Sequence, residues 1–521
     1  MSNMMGWRRK ERDMTEELAR ASLPGWLDGL YDPDEMRAAD RFAMERRGIL
    51  ELELAEKAGA GLATAAAEVA RGRPIRVVVG PGNNGGDGLI SARLLREAGH
   101  EVSVIAPIPL EGLAGVPRTN LDRLPGAPPS PFDPASLAGC GAIVDALLGT
   151  GFEGTVREPL AGVIASINAA DVPVVAADVP SGVNAATGEV EGPAICAEVT
   201  VTNHAPKIGL YVTPGARHAG EVRVVDIGIP RDAPKAGLVG LISRRVLRLV
   251  PARPRYATPR DTVLVVGGGR GSTTAPAMAA EAAMRAGTCF VRAAVPVSVA
   301  PFMDLRLPGA LIHGLEEEDG RYAEEGVRTI ADLAAEAGAV VIGPGLVGAE
   351  GAFSPSAGSW TEVPMIIEAG MSSAYPSAEL FSERAGPVIL IADEAGLGRL
   401  LGLSQEQVRA NRLASARALA DRSGAVVVLE GDGCIVAAPG GPVALGPGAS
   451  GALAANGTGS VLAGLVGTFT ARGMDPFAAA AAAVIARSDA GDAAASSVGA
   501  GHTLAGEVIR ALPEALASLR D

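Results

Sequence analysis

The sequence is poor in aromatic residues, cysteine and histidine, which limits the kinds of site it can build. Aromatic side chains make up 3% of the 521 residues, and there are four cysteines and five histidines. No cysteines form a CxxC pair and no histidines an HxxxH pair, so the usual spacings of a zinc site are absent. These absences favour a reduced cytoplasmic protein. Much of the 48% hydrophobic content is alanine, so its helices should pack on small side chains.

The chain also lacks an excess of positive charge and long charge-free apolar runs. A net charge of −14 argues against sequence-independent binding of nucleic acid, which needs clustered Lys and Arg. An anionic ligand would have to be held by backbone amides, helix termini or a metal ion. The first ten residues are charged, with no signal-peptide core after them, and the alanine run at 478–486 is too short to span a membrane.

The length predicts more than one domain, and the chain contains two successive α/β patterns. After an N-terminal extension (1–30), two helical stretches are predicted between residues 34 and 69. A strand (75–79), a glycine-rich turn, a helix (89–98) and a second strand (102–105) then form a βαβ unit. A proline-rich stretch at 231–260 predicts a linker, and a second run of strands and helices follows it.

Three strand ends of the first pattern carry polar residues and glycine. They are the stretch GPGNNGGDG (80–88), the stretch from Asp145 to Gly151, and the stretch from Asp178 to Gly182. Ligand sites of open α/β sheets lie beyond the carboxyl ends of strands, so we expect one crevice there. The alternative is that each aspartate only caps the next helix.

The stretch GPGNNGGDG is neither a Walker A loop nor a GxGxxG fingerprint. What distinguishes it from a plain turn is Asn83, Asn84 and Asp87, which can bind a sugar hydroxyl, a carboxamide or a hard cation. Oxygen ligands from Asn84, Asp145 and Ser181 could hold a monovalent or divalent cation. Asp178 would then remain for acid/base work.

The motifs GPGNNGGDG, DALLGTGF, VREPL, DVPSGVNAATG and HAPKIGLYVTPG together resemble the epimerase domain of the NAD(P)H-hydrate repair enzymes, in consistent order over residues 31–230. The resemblance implies a Rossmann-like three-layer α/β fold, a bound potassium ion, and interconversion of the R and S epimers of hydrated NADH and NADPH at C6. It implies that Asn84, Asp145 and Ser181 hold potassium and that Asp178 is the acid/base residue. The residues implied to line the substrate are Asn83, Asn84, Gly85, Gly86, Asp87, Gly149, Thr150, Gly151, Phe152, Glu153, Gly154, Thr155 and Asp178.

Two lysines of this region call for comment. Lys57 stands in LAEKAG where the family usually has an asparagine, a departure that could alter substrate contacts or a dimer surface. Lys207 in HAPKIGL could be a catalytic base or an anion contact. A lone lysine beside a strand is more often a solvated surface group, and that is the expectation here.

Residues 261–521 resemble the partner domain of the same enzymes, an ADP-dependent NAD(P)H-hydrate dehydratase with a ribokinase-like three-layer α/β fold. The resemblance implies that backbone amides of a final GxGD loop hold nucleotide phosphates and that its aspartate is the base. Here Ser460 replaces that aspartate, and Glu430 replaces a lysine that precedes glycine. The sequence 391–396 replaces a Thr-Pro-His-Pro-Gly-Glu run, and Glu368 and Gly370 replace paired aspartates. The remnant site comprises Gly345, Asp393, Glu430, Gly457, Gly459 and Ser460.

The sequence therefore predicts a homo-oligomeric nicotinamide nucleotide repair protein with an active epimerase domain and a degenerate dehydratase domain. ADP or ATP could still bind weakly, because Gly457 and Gly459 keep the anion-binding backbone. One alternative is a fully bifunctional enzyme in which Glu368, Asp393 or Asp432 supplies the missing acid. The other is a non-enzymatic dinucleotide sensor or scaffold.

Overall fold

A computed structural model describes residues 23–256, 258, 261–318, 321–346, 362–368, 378–382, 384–448 and 451–517. The chain divides into two compact units. The first is Gly29–Val239, and the second combines Leu23–Asp28 with the chain from Gly240 onward. Each unit is built on its own sheet, so the predicted α/β class holds for both.

The first unit is built on a seven-stranded sheet whose neighbouring strands pair in parallel. Its strands are β2 (Ile75–Val79), β3 (Val102–Ala106), β4 (Ser130–Pro131), β5 (Ala142–Ala146), β6 (Val174–Ala177), β7 (Val199–Asn203) and β8 (Glu221–Val225). They are ordered β4-β3-β2-β5-β6-β7-β8. In the central strand β2, Val77, Val78 and Val79 are all fully buried, as expected when helices cover both faces of a parallel sheet.

Helices cover both faces of this sheet. They are α1 (Pro33–Arg41, continued as a π-helical turn, Phe42–Arg46), α2 (Glu51–Ala70), α3 (Asn83–Glu97), α4 (Gly115–Asp122), α5 (Leu160–Asn168) and α6 (Ala216–Ala219). Val77 and Val79 point to the α2 and α3 side, whereas the intervening Val78 packs with the apolar residues of α5. The alternation of side chains along a strand therefore supplies two cores and three layers.

The second unit contains the remaining strands. They are β1 (Leu27–Gly29), β9 (Val239–Ile242), β10 (Thr262–Val266), β11 (Phe290–Pro296), β12 (Leu311–Leu315), β13 (Glu317–Glu318), β14 (Arg321–Tyr322), β15 (Ala339–Ile342), β16 (Met365–Glu368), β17 (Val388–Ala392), β18 (Val426–Leu429), β19 (Ile435–Ala437) and β20 (Val443–Leu445). Eleven of them form one sheet in the order β1-β9-β20-β19-β18-β17-β16-β15-β10-β11-β12, and β13 and β14 form a separate hairpin. Strands β18 to β12 in this order pair in parallel, so their carboxyl ends share one edge.

The helices of the second unit pack on small side chains, as the composition predicts. They are α7 (Thr274–Arg285), α8 (Ala300–Arg306), α9 (Glu324–Ala335), α10 (Glu394–Leu401), α11 (Gln405–Ala410), α12 (Arg412–Ser423), α13 (Thr458–Ala471), α14 (Pro476–Val498) and α15 (Ala505–Ala517). The run Ala478–Ala483 of α14 is almost wholly buried in the core, together with residues of α7 and α13. Within the described residues, no helix is both long and apolar enough to cross a membrane.

Two stretches without a predicted element are structured. Within the expected N-terminal extension, residues 23–28 belong to the second unit, where Trp26 packs on Phe477 with ring centroids 5.4 Å apart. The expected linker at 231–260 contains β9 and a 3₁₀ turn, Arg244–Leu249, whose Val246 is fully buried. The prolines and arginines of this stretch interrupt its apolar pattern. The sequence therefore did not indicate the short apolar segments that lie in the sheet and the core.

Candidate functional site

The first unit contains a cavity of about 890 Å³ at the carboxyl ends of its central strands. Its lining comes from the chain after β2, β5, β6 and β7, and from α1 and α2. This volume is typical of a site for a small molecule or cofactor. The three strand ends singled out in the sequence therefore lie at one cavity.

Most of the predicted substrate-lining residues reach this cavity. Its lining includes Asn83, Asn84, Asp87, Gly149, Thr150, Gly151, Phe152, Glu153 and Asp178. Gly85 and Gly86 are buried in the first turn of α3, behind the lining. Gly154 and Thr155 also lie outside it, and the Thr155 hydroxyl donates to Glu191 at 3.2 Å.

The glycine-rich stretch is helical from Asn83 onward, which corrects the predicted helix start at residue 89. Helix α3 begins at Asn83, so Asn84 and Asp87 sit in its first turns. Glycine is needed because the helix runs against the sheet edge: a Cβ on Gly85 would lie 1.9 Å from the Gly80 carbonyl oxygen. Close packing here outweighs the poor helix propensity of glycine.

Asp178 follows β6 in a left-handed backbone conformation, with φ of 63°. Its Oδ1 accepts hydrogen bonds from the Lys207 ammonium (2.6 Å), the Thr202 hydroxyl (3.0 Å) and the Asn203 backbone N–H (3.2 Å). Its Oδ2 has no hydrogen-bond partner among the described residues. None of these donors is a backbone N–H of a helix's first turn, so the alternative that Asp178 is only a helix cap is wrong.

Lys207 is fully buried, and the expectation of a solvated surface lysine is wrong. Besides Asp178, its ammonium donates to the Thr202 hydroxyl at 2.9 Å and to the Asn203 carbonyl at 2.7 Å. Three acceptors match the three N–H groups of an ammonium, so burial of the charge is offset. With its protons committed in this way, Lys207 is suited to holding Asp178 rather than to accepting a proton.

Asp145, Ser181 and Asn84 form one hydrogen-bond network around Leu148. The Ser181 hydroxyl donates to Asp145 at 2.7 Å and accepts from the Leu148 N–H at 2.9 Å, while the Asn84 amide donates to the Leu148 carbonyl at 2.7 Å. Asp145 is completely buried, and burial raises its pKa to about 6 despite the Ser181 and Leu147 hydrogen bonds. Within the described chain no cationic side chain pairs with it. Its hydrogen bonds come from Ser181 and from the Leu147 N–H, so it too is not a helix cap.

Two further carboxyl groups of the cavity have perturbed pKa values. Burial raises the pKa of Asp40 to about 6, against the lowering effect of Lys207. Burial and the negative charge of Asp178 raise the pKa of Asp87 well above its usual value. Sequence reasoning missed Asp40, because an acidic residue in an amphipathic helix looks like a solvated one.

The second unit has a cavity of about 590 Å³ beside the start of α13. Four of the six predicted remnant residues line it: Asp393, Glu430, Gly457 and Gly459. Asp393 caps α10 by accepting from the Gly396 N–H at 2.6 Å. Gly345 lies elsewhere, where an added Cβ would be 2.4 Å from the Ser272 hydroxyl and 3.1 Å from the Ala275 methyl group.

The carboxylate of Glu430 lies at the N-terminus of α13. A Cβ on Gly459 would lie 2.8 Å from its Oε2. Glu430 also accepts a hydrogen bond from the buried Arg487, whose guanidinium donates in addition to the Thr458 carbonyl at 3.1 Å. Glu430 and Arg487 therefore form an ion pair at this helix terminus.

Ser460 contacts the other nearby glutamate. Its hydroxyl lies 3.1 Å from Glu368 Oε2, at the end of β16, and donates to it. Burial, followed by the negative charge of Glu430, raises the pKa of Glu368 from 4.5 to about 7. Gly370, singled out with Glu368 in the sequence, lies outside the described residues. The hydroxyl at position 460 thus orients a carboxyl group that comes from another strand.

Comparison with known families gives two matches. Residues 51–209 match the family described as YjeF-related protein N-terminus, and residues 263–514 match the family described as NAD(P)H-hydrate dehydratase. The two matched segments fall in the first and second units.

Curated relatives align over nearly the whole chain. The bifunctional NAD(P)H-hydrate repair enzyme Nnr of Salinibacter ruber is 34% identical over 512 residues, covering 90% of this chain and 91% of that protein. The enzyme of the same name from Thermofilum pendens is 33% identical over 423 residues, or 78% and 80%. A solved structure of the ADP/ATP-dependent NAD(P)H-hydrate dehydratase from Bacillus subtilis aligns at 23% identity and a TM-score of 0.45, covering 54% of this chain and 98% of that one.

Proposed function

The chain belongs to the family of bifunctional NAD(P)H-hydrate repair enzymes, and from this premise we propose that its first unit interconverts the R and S epimers of hydrated NADH and NADPH. The observation that carries the proposal is the asymmetry of the Asp178 carboxylate. Its Oδ1 is fixed by Lys207, Thr202 and the Asn203 N–H, and its Oδ2 is left without a partner in a cavity of about 890 Å³.

The chemistry follows from the substrate. In the hydrate, C6 carries a hydroxyl group and is bonded to the ring nitrogen, whose lone pair can expel the hydroxyl. The C6–O bond breaks as an acid protonates the leaving oxygen, which departs as water and leaves an iminium carbon. Water then adds to the other face as a base removes its proton, which inverts C6. A carboxylate with one fixed and one free oxygen is suited to such proton transfer.

We propose that potassium binds beside this centre through Asn84, Asp145 and Ser181. The fit is chemical: these residues offer oxygen atoms, which hard cations prefer, and Asp145 is a buried carboxyl without a cationic partner in the described part of the chain. When bound, potassium would supply the missing positive charge. The hydrogen bonds of Asn84 and Ser181 to the Leu148 backbone would hold the loops after β2, β5 and β6 in fixed positions relative to one another.

We propose that the second unit does not perform ordinary ADP-dependent dehydration. Glu430 lies where phosphate would meet the N-terminus of α13, and Asp393 adds a further negative charge to the same cavity. A phosphate would have to displace the Glu430 carboxylate from Arg487 and from the helix N-terminus, and it would meet the negative charge of Asp393. Ser460 stands where the family has its aspartate base, and its hydroxyl is a poor base at neutral pH. On this proposal the second unit is retained as a scaffold.

A second candidate for this unit is retained dehydration with Glu368 as the base. The raised pKa of Glu368 favours it, because a general base works best when its pKa is near the working pH. Purified S-hydrate with ADP or ATP distinguishes the two, since only retained dehydration regenerates the absorbance of NADH. Regeneration that Glu368→Gln abolishes would favour this second candidate.

The epimerase proposal is tested with the purified chain, R-hydrate and potassium in H₂¹⁸O. Conversion to S-hydrate above the rate in buffer, with ¹⁸O appearing at C6 in step with inversion, supports both the function and the route. No conversion above buffer would contradict the function. Conversion without label in the early product would contradict loss and return of the hydroxyl group.

A further inference from the structure

Inversion at C6 needs proton transfer on two faces of the ring, and Asp178 alone does not provide it. The leaving oxygen must receive a proton on one face while the entering water loses one on the other. A single carboxylate lies on one side of the substrate at any moment. A second acid/base group is therefore expected on a different wall of the same cavity.

We propose that Asp40 is this second group, a general acid that protonates the departing C6 hydroxyl while Asp178 removes a proton from the entering water. The inference rests on the epimerase function proposed above and adds a catalytic residue to it. Asp40 lines the same cavity as Asp178 but comes from helix α1, whereas Asp178 follows strand β6. Neither the sequence motifs nor the family resemblance pointed to it.

Helix α1, which carries Asp40, is anchored at its start by contacts near the site. Tyr31, just before the helix, forms a backbone bridge with Lys207, the residue that holds Asp178. Asp32 and Glu35 form a capping box at the helix start, and Glu35 also accepts from the Gly237 N–H at 2.8 Å. The wall that carries Asp40 is thus tied at its start to the loop that carries Lys207.

The carboxyl group of Asp40 is available for chemistry. It has no hydrogen bond or ion pair with the described residues, although it is partly buried. Two residues later the helix changes to a π-helical turn at Phe42, a feature frequent at functional sites. The Asp40 carboxyl group therefore faces the same cavity as the Asp178 carboxylate and has no hydrogen bond with the described residues. This arrangement suits one half of an acid/base pair.

Burial, more than the charges around it, favours the protonated form of Asp40. Its surroundings contain Asp178 after β6, Glu51 at the start of α2 and Asp87 on α3, all of which oppose ionisation, and Lys207, which favours it. Lys207 is already paired with Asp178. Burial is the largest cause that raises the pKa of Asp40 to about 6, and the neighbouring carboxylates add to it, so the acid form persists well above the range of an ordinary aspartate.

On its own helix, Arg37 and Arg41 also line the cavity, and Arg37 pairs with Asp34 at 2.5 Å. Asp34 is an exposed aspartate of the same helix and supplies a matched control.

A consequence of the pairing is a shared pH dependence in both directions. Conversion of R to S needs protonated Asp40 and ionised Asp178, and the reverse needs the opposite arrangement. Each state carries one proton in total. Both rates should therefore fall together as pH rises above about 6, because Asp40 then loses the shared proton.

The test measures kcat and KM for R-hydrate across pH 5 to 8.5 at constant potassium, using full-length wild type, Asp40→Asn, Asp40→Glu and Asp34→Asn. We expect Asp40→Asn to lower kcat by roughly 10²- to 10⁴-fold, to leave KM within about threefold, and to remove the decline above pH 6. Asp40→Glu should keep that decline and part of the rate. Asp34→Asn should behave as wild type.

Several results would overturn the inference. These are an unchanged decline at high pH in Asp40→Asn, a loss that lies entirely in KM, or an equal loss in Asp34→Asn. Melting curves identify a variant that has failed to fold, and Asp40→Glu then carries the test through its pH profile. If wild type itself does not invert R-hydrate, the proposed function fails. If wild type inverts it and Asp40→Asn does so equally well, only this inference fails.

Discussion

The ammonium nitrogen of Lys207 lies 2.6 Å from Oδ1 of Asp178, and Lys207 has no solvent-exposed surface. This contact joins the loop after β7 to the loop after β6. It fixes one oxygen of the carboxylate and leaves the other without a partner. The geometry of the first site therefore depends on a lysine that was expected at the surface from the sequence.

Replacing Lys207 with methionine should destabilise the first unit by about 3–5 kcal/mol, because the partner carboxylate would remain largely buried without its counter-charge. Native-state hydrogen exchange at the amides of β6 and β7 measures the loss. The double variant Lys207→Met, Asp178→Asn should recover part of it, since no unpaired charge would remain. A loss below about 1 kcal/mol in the single variant would argue against the buried pair.

Gly85→Ala should destabilise the first unit by about 1–3 kcal/mol or more, because the new methyl group would meet the Gly80 carbonyl oxygen at 1.9 Å. Gly82→Ala is the matched control, since nothing lies within 4 Å of its added Cβ. We expect the control to stay within about 0.5 kcal/mol of wild type. Equal melting temperatures for the two variants would contradict the close packing of α3 on the strand ends.

Potassium should stabilise the first unit through Asp145. At a concentration near one hundred times its dissociation constant, it should raise the free energy of unfolding by about 2.7 kcal/mol relative to tetramethylammonium at equal ionic strength. Asp145→Asn should remove this difference. A stabilisation that is equal for both cations, or that survives in the variant, would place the ion elsewhere.

The second unit should lose stability as pH rises, because of Glu368. Its folded pKa of about 7 lies above its ordinary value of 4.5, so its stabilising contribution is complete below about 4.5 and lost as pH rises through 7. The expected loss is about 1–3 kcal/mol. Denaturation of wild type and Glu368→Gln across this range isolates the effect, and parallel curves for the two would show that Glu368 does not titrate as described.

The elements of the fold could be predicted from the sequence because their patterns are local. Strand β2 occurs at its expected bounds, the strand predicted at 102–105 is β3, and helices lie between residues 34 and 69 as predicted. The start of α3 could not be predicted, because glycine disfavours helices and only packing against Gly80 makes it necessary. The same holds for β9, whose pairing depends on distant strands.

The site residues that belong to motifs at strand ends could be predicted from the sequence. Those whose role depends on contacts between distant parts of the chain could not. Asp178 follows β6 and Asp145 lies near the end of β5, and both were identified. Asp40 and the burial of Lys207 depend on how α1 packs over the sheet edge, which no short stretch encodes. The Arg487–Glu430 pair was missed for the same reason, since 57 residues separate its partners.

The rate of R-hydrate inversion by Asp178→Asn tests the central claim most directly. Asp122→Asn, an exposed aspartate on α4 that pairs with Arg118, serves as the control. We predict that wild type and Asp122→Asn invert the substrate at equal rates and that Asp178→Asn is slower by about 10²-fold or more, with its fold intact. An Asp178→Asn variant that folds and inverts R-hydrate at the wild-type rate would contradict the account.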